Sequence, residues 1–461
     1  MDAKDQDGLE SGALGLGESV IMGVAGTAPA FSIAATTAAL IAAVGRLSPA
    51  SLLYCGLIMF GVTFAYMHLN RINPNAGASY AWVSAIFHPV LGFFAGWALL
   101  VASAVFMVSG TIPAATATLT LLAPRLANEP AAVTLVAAGW LLLVSAIVVK
   151  GIKPTSYTQI VMTVIEVGIL VAVILLALVK YGAHPAHAFS LAALSPASFT
   201  PQLFATGALT AVFFFWGWDV TVNLNEETRD AARAPGRGAL LAMLVVLALF
   251  MGFAAVTLLV LDDREIASSS TNVLFAVAEK LLPRPWSYLA VVAVMLSTVG
   301  TLETSILQFT RTMYAKARDG TLHPRYATLH KTCRTPWVAT ALITGFGLLL
   351  LFLSSQLPSV SEIIRDSVNA IGFQVAFYYG LAGFACAWHF RRDALRSPFD
   401  MVFLVVWPAL SAAFLWFIAV YSIPGFDLAT NIVGLGGIAI GGVPLLLNRY
   451  HSFQARRQDN R

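Results

Sequence analysis

The sequence predicts an all-α integral membrane protein of about twelve transmembrane helices, and three observations carry that expectation. Of the 461 residues, 58% are hydrophobic and only 11% charged, against roughly 25% charged in an ordinary soluble domain. Apolar runs of about 20 residues, each able to cross a hydrocarbon core of roughly 30 Å, recur from near Ser19 to near Leu447. No Pro/Ser-rich linker or long polar stretch divides the chain, so one transmembrane domain is expected over residues 18–447, between short tails at 1–17 and 448–461.

The spans lie near residues 19–44, 48–69, 88–120, 131–150, 157–180, 202–225, 238–261, 286–312, 337–355, 360–389, 401–421 and 428–447. In the first, Gly23, Gly26 and Pro29 break the helix. Pro29 suits the first turn of the following half-helix, where its missing N–H matters least. That would leave the N–H groups of Thr27 and Ala28, with the positive end of the half-helix dipole, free for a carboxylate. The third and tenth spans are long enough to imply tilt or an extra turn outside the bilayer. In the fifth, Glu166 is an intramembrane acid. A carboxylate out of water is expensive to keep charged, which suits it to taking up and releasing a proton.

The sixth span is the most informative. Phe213, Phe214, Phe215, Trp216, Gly217, Trp218 and Asp219 place a glycine and a carboxylate where lipid demands an unbroken apolar helix, and Asn223 follows. A charged side chain near the bilayer centre costs roughly 2.5–3.5 kcal/mol, so it persists mainly where it faces a cavity. An unwound turn leaves backbone groups that only a cavity, water or ligand can satisfy in hydrocarbon. Interruptions in the first and sixth spans, five helices apart, point to an inverted repeat. Repeat one would run over about residues 18–181 and repeat two over about 202–390, with two further helices at about 401–447.

In the eighth span Ser297, Thr301, Thr304, Ser305 and Gln308 share a face at 100° per residue, while Glu303 lies off it and is expected to pair with another helix. The stripe suits either sodium or the coupling acid; helix–helix packing would equally use such hydroxyls. An aromatic wall of Phe214, Phe215 and Trp216 beside Asp219 suits an ammonium group, although such residues also simply pack. Asp219 itself could instead cap the second half-helix, and Glu166 could be a structural acid bonded to Thr163 or to a neighbouring helix. Gly434-Leu435-Gly436-Gly437-Ile438-Ala439 formally fits a dinucleotide fingerprint, but it lies in an apolar span with no preceding strand and marks close helix packing.

With the N-terminus inside, cytoplasmic segments collect about 20 of the 27 Lys and Arg, so both termini are expected in the cytoplasm. The net charge of +4 then reports topology and gives no support for nucleic-acid binding. Asp2, Asp5, Asp7 and Glu10 are the wrong charge for a signal peptide, so the first span is expected to be retained. Cys55, Cys333 and Cys386 have no paired spacing, so neither a disulfide nor a metal site is suggested. His68, His88, His323 and His330 read as solvated loop residues, and no HExxH, Walker or nucleophile-elbow motif supplies machinery for an enzyme.

Four stretches, in order, resemble the amino acid, polyamine and organocation permease superfamily: Gly26-Thr27-Ala28, Asn75 to Tyr80, Phe213 to Thr228, and Arg311 to Pro336 with Arg318-Asp319-Gly320 inside it. The resemblance implies the leucine-transporter type of fold, two inverted five-helix repeats plus two helices, with a central site between the first, third, sixth and eighth. Carried over by position, Gly26, Thr27 and Ala28 would hold a substrate carboxylate, Phe213 would gate it, and Trp216, Trp218 and Asp219 would line the sixth-helix break. Three positions depart from the pattern. Ala28 replaces a glycine, Asp219 stands where relatives often carry a neutral residue, and Glu166 stands seven residues after Gln159, where many members carry a lysine.

The expected function is that of a secondary active transporter in a bacterial plasma (inner) membrane. It would move an amino acid or related amine by alternating access, with Glu166 as the proton-coupling group and sodium the second choice of ion. No cofactor, metal or nucleic-acid partner is implied, and the oligomeric state is open. Two alternatives stand beside it: exchange of an amino acid against its decarboxylated amine, and a transporter-like sensor that binds without moving its ligand.

Overall fold

A computed structural model describes residues 8–188, 190–269, 272–355 and 360–447. The expected tail at 448–461 and the first seven residues lie outside them. Among the described residues there is no β-strand; the one β-bridge joins Leu14 to Thr228. Ten stretches are apolar and long enough to cross a membrane, the first of them, Leu16–Ile72, being 57 residues long. That stretch folds back at Gly45–Leu47 and so holds two crossings, while the interrupted sixth crossing is too fragmented to be counted among the ten. The expected twelve crossings are therefore present.

The first crossing comprises α1 (Leu16–Gly26) and α2 (Pro29–Val44), and the second is α3 (Ser48–Ile72). A short α4 (Ser79–Ile86) precedes the third crossing, which is built from α5 (Pro89–Ser109) and α6 (Thr111–Leu122). The fourth and fifth are α7 (Pro130–Val149) and α8 (Ile152–Tyr181). The sixth consists of α9 (Pro201–Phe213) and α10 (Val220–Asn223), and the seventh is α11 (Ala234–Val260). Two short helices on the far face, α12 (Asp263–Ser269) and α13 (Val273–Leu281), lead to α14 (Leu289–Arg318), α15 (Trp337–Ser354) and α16 (Val360–Phe390), the eighth to tenth crossings. Pro398–Gly425 and Leu428–Leu447 are the last two.

Their burial separates an inner set from an outer one. The first, eighth and tenth crossings are mostly buried, whereas the last two are mostly exposed to the surroundings that lipid would fill. Leu135, Val179, Leu410, Leu428 and Leu446 are each more than 60% exposed, which is tolerable only against acyl chains. α1 lies against α11, α8 and α14, and α16 packs on α5 and α3, so the broken first crossing sits in the middle of the bundle. Gly434 closes on Ala370 and Gly437 on Val101, as close helix packing in the last crossing requires.

Candidate functional site

The two interruptions meet. α1 stops at Gly26, and Ala28 takes a left-handed conformation (φ 47°, ψ 61°) before Pro29 opens α2. α9 stops at Phe213, and residues 214–219 have no regular helix. Gly217 bends there with φ 103°. A Cβ on Gly26 would stand 2.1 Å from the Gly217 carbonyl oxygen, and one on Gly217 would stand 2.0 Å from that of Gly26. Main chain therefore touches main chain halfway through the bundle, an approach open only to glycine.

The hydrogen bonds of this turn correct one expectation. The N–H groups of Thr27 and Ala28 are not free: they donate to Val24 O and Ala25 O, both at 3.1 Å. Local tight-turn bonds have satisfied them, as buried backbone donors demand. The donors that do face outward from the start of α2 are Ala30 N–H, which donates to Glu166 Oε1 at 2.9 Å, and Phe31 N–H, which donates to Ser297 Oγ at 3.2 Å. Glu166, 1% exposed, thus sits on the positive end of α2 with the Ser297 hydroxyl also bonded to it. α8 carries it there from the fifth crossing. Of the two alternative partners considered for it, Thr163 is bonded to Gln159, while the neighbouring helices supply the bonds from Ala30 and Ser297.

Asp219 is 1% exposed. Its side chain makes no capping bond to α10. Instead Oδ1 accepts from the Tyr379 hydroxyl at 2.8 Å and Oδ2 from the Tyr378 hydroxyl at 3.1 Å. Tyr378 in turn accepts from Trp216 Nε1 at 3.0 Å, so a line of donors runs from the sixth crossing through the tenth and back to the carboxylate. Gln308, at the end of the polar stripe on α14, lies beside it. Trp218 packs between Tyr66 and Tyr379 with ring centroids 5.2 and 5.4 Å away, and its indole N–H has no acceptor among the described residues. A buried donor of that kind is one that a bound molecule can satisfy. Above the carboxylate, Trp216 meets Phe106 edge-on at 5.5 Å, and Phe106 meets Phe31 at 6.4 Å.

The remaining sequence candidates divide. Phe213 is buried (4% exposed) at the end of α9. Phe214 and Phe215 turn away and pack on Phe250 of α11. Ser297 and Thr301 face the first crossing, Thr301 donating to Ala25 O at 2.6 Å. Tyr66, Tyr378 and Tyr379 went unremarked in the sequence. For Tyr378 and Tyr379 a signal was present in the adjacent tyrosines of the tenth span, since a buried phenol needs a partner; Tyr66 had none.

The face of the bundle that carries the N-terminus is closed by a polar knot that joins three of the four resemblance stretches. Glu227 makes a two-pronged ion pair with Arg311, at 2.9 and 2.7 Å, with both side chains at most 1% exposed. Glu226 pairs with Arg318 and also accepts from Ala76 N–H at 2.9 Å. Asn223 donates to Ala76 O at 2.9 Å and Asn225 to Asn70 Oδ1 at 2.7 Å. Leu14 adds a strand-like pair, N–H to Glu227 O at 3.0 Å and O from Arg229 N–H at 2.8 Å.

Chemically the site can hold a cation at an aromatic-lined carboxylate and can trade one acceptor for another at the start of α2. Among the described residues no group of His, Cys, Asp and Glu could hold a metal ion. Comparison with known proteins shows the family. The amino acid permease profile matches residues 16–443. The chain is 26% identical over 411 residues to the low-affinity putrescine importer PlaP of Escherichia coli K12, covering 85% of this chain and 84% of that protein. It is 23% identical over 429 residues to the methylthioribose transporter of Bacillus subtilis, covering 87% and 86%. To the human large neutral amino acids transporter small subunit 2 it is 23% identical over 395 residues, covering 82% and 71%.

Proposed function

Because the chain belongs to the amino acid permease family, we propose that it is a secondary active transporter that carries an amino acid or a related amine across a bacterial plasma membrane, coupled to proton movement. The observation that carries this reading is Asp219, buried at the contact of two broken helices and ringed by Tyr378, Tyr379, Trp216 and Trp218. An ammonium group placed there gains a charge-assisted hydrogen bond and the faces of desolvated aromatic rings. The bias of Lys and Arg puts both termini in the cytoplasm, so the closed polar knot is the cytoplasmic gate and Phe213 the external one.

Glu166 supplies the coupling. While ionised it occupies the positive end of α2 through Ala30 N–H. A proton on it weakens that acceptance and opens the helix end to a carboxylate on the cargo; hydrogen bonds to charged groups of this kind contribute about 1.5–3 kcal/mol each. Proton and cargo carboxylate therefore favour one another's binding. Rocking of one half of the bundle against the other then exposes the filled site to the second side.

Purified protein in proteoliposomes tests the reading. An inward proton gradient should drive accumulation of an amino acid or amine above its equilibrium level, with Glu166→Gln retaining binding and losing the gradient-driven part. Counterflow that proceeds at full rate while a pH gradient drives no accumulation would replace symport by exchange.

A further inference from the structure

One buried carboxyl belongs neither to the cage around Asp219 nor to the start of α2. Glu303, in α14, is 1% exposed, and its Oε1 has no hydrogen-bond partner among the described residues. Oε2 accepts from Gln159 Nε2 at 2.9 Å, with the Gln159 amide turned so that the same nitrogen reaches Gly300 O at 3.1 Å and its oxygen accepts from Thr163 at 3.1 Å. Gly300 leaves the room for this, since a Cβ there would come within 2.6 Å of the amide. Among the described residues one oxygen of this buried carboxyl is bonded and the other is not, so its burial is only half compensated. An uncompensated carboxylate inside a membrane protein is costly enough that it is found mainly where it has work to do, and a proton on the open oxygen removes the cost.

The helix opposite adds a direction. On the buried face of α8, Thr155, Ser156, Gln159, Thr163 and Glu166 form a polar stripe that starts near the N-terminal face, with the apolar Ile152 and Met162 beside it. Beyond Glu166 the same face continues as Leu170, Val173 and Ala177. From Thr155 to Glu166 the stripe rises about 16 Å, roughly half the hydrocarbon thickness. Glu303 meets it at Gln159, about 10 Å along α8 from Glu166. The buried face of α8 thus carries its polar side chains from Glu166 toward the N-terminal face and none beyond Glu166.

We propose that the α8–α14 seam is a proton path, separate from the cargo route, which joins Glu166 to the N-terminal face alone. Glu303 is its intermediate proton carrier, and Gln159 is the residue that positions it. A proton leaves the Glu166 carboxyl, passes along the Thr163 hydroxyl and intervening water to Glu303, and is released to water at the N-terminal face. Both carboxylates are regenerated and no other bond changes. The apolar continuation of α8 keeps the path from reaching the opposite face, so a proton can arrive at Glu166 only through the cargo route and its passage stays tied to cargo. The proposal rests on Glu166 as the coupling group.

Glu303→Gln in proteoliposomes tests it, with cargo-induced proton flux read by an internal pH dye beside counterflow, which needs no net proton. Counterflow should stay within about twofold of wild type while proton flux and gradient-driven accumulation fall at least tenfold. Glu303→Asp should recover part of both, and Gln159→Leu should show a smaller loss of the same kind. Wild-type proton flux in Glu303→Gln overturns the path, as does loss of counterflow in both the Gln and Asp variants, which would mark Glu303 as structural. Glu166→Gln run in parallel separates the failures: if it abolishes proton flux and Glu303→Gln does not, only the seam path falls, whereas full flux in Glu166→Gln removes the coupling reading itself.

Discussion

Arg311 and Glu227 make the buried ion pair of the N-terminal face, with bonds of 2.9 and 2.7 Å and no more than 1% exposure on either side chain. Replacing Glu227 by Gln strands the guanidinium without a countercharge, and removing one partner of a fully buried pair costs about 3–5 kcal/mol. Coulomb's law gives the same size, about 4 kcal/mol for charges about 4 Å apart at an effective dielectric of about 20. Arg311→Met alone strands the carboxylate and should cost a similar amount. The double variant strands neither charge, and replacing a whole buried pair is often close to neutral, so it should be less destabilised than either single. A double-mutant cycle on the detergent-purified protein, read by denaturant unfolding, should return a coupling of at least about 2 kcal/mol. Singles whose costs simply add would show that the pair is a bystander and that the gate is held by Glu226, Asn223 and Asn225 alone.

Four further substitutions have defined outcomes. Asp219→Asn should weaken amine binding by about 10- to 150-fold, the equivalent of one charge-assisted hydrogen bond, in a ligand-induced thermal shift; an unchanged affinity would take the carboxylate out of the site. Tyr379→Phe removes only the 2.8 Å bond to Asp219 and should cost about fivefold in the same assay, near 1 kcal/mol; a loss as large as that of Asp219→Asn would mean the phenol itself binds cargo. Gly26→Ala, whose Cβ would stand 2.1 Å from the Gly217 carbonyl, should destabilise by about 3 kcal/mol or more and stop transport, whereas Gly168→Ala, with open space at its Cβ position, should do neither.

The crossings were legible because each is a long apolar run, and hydrocarbon leaves the backbone few alternatives to helix. The two interruptions were legible for the opposite reason: Gly217, Asp219, Gly26 and Pro29 are residues that an apolar helix excludes unless something requires them. What the sequence could not disclose was pairing across distance. Thr27 and Ala28 N–H groups looked open because an unwound turn can leave its donors free or close them locally, and local bonds to Val24 and Ala25 prevailed. The partner of Asp219 lay about 160 positions away in Tyr378 and Tyr379, and that of Glu227 in Arg311, which no periodicity reports. Glu303 was legible as an acid off the polar face of its helix, but not as the neighbour of Gln159.

A structure determined with an amino acid or amine bound tests the central claim most directly, that cargo is held where the two broken helices touch. Its ammonium group should lie about 2.7–3.1 Å from the Asp219 carboxylate, between Trp216 and Trp218 and against the main chain of residues 26–28. Cargo found elsewhere, with the Gly26–Gly217 contact and the Asp219–tyrosine bonds unchanged, would contradict it.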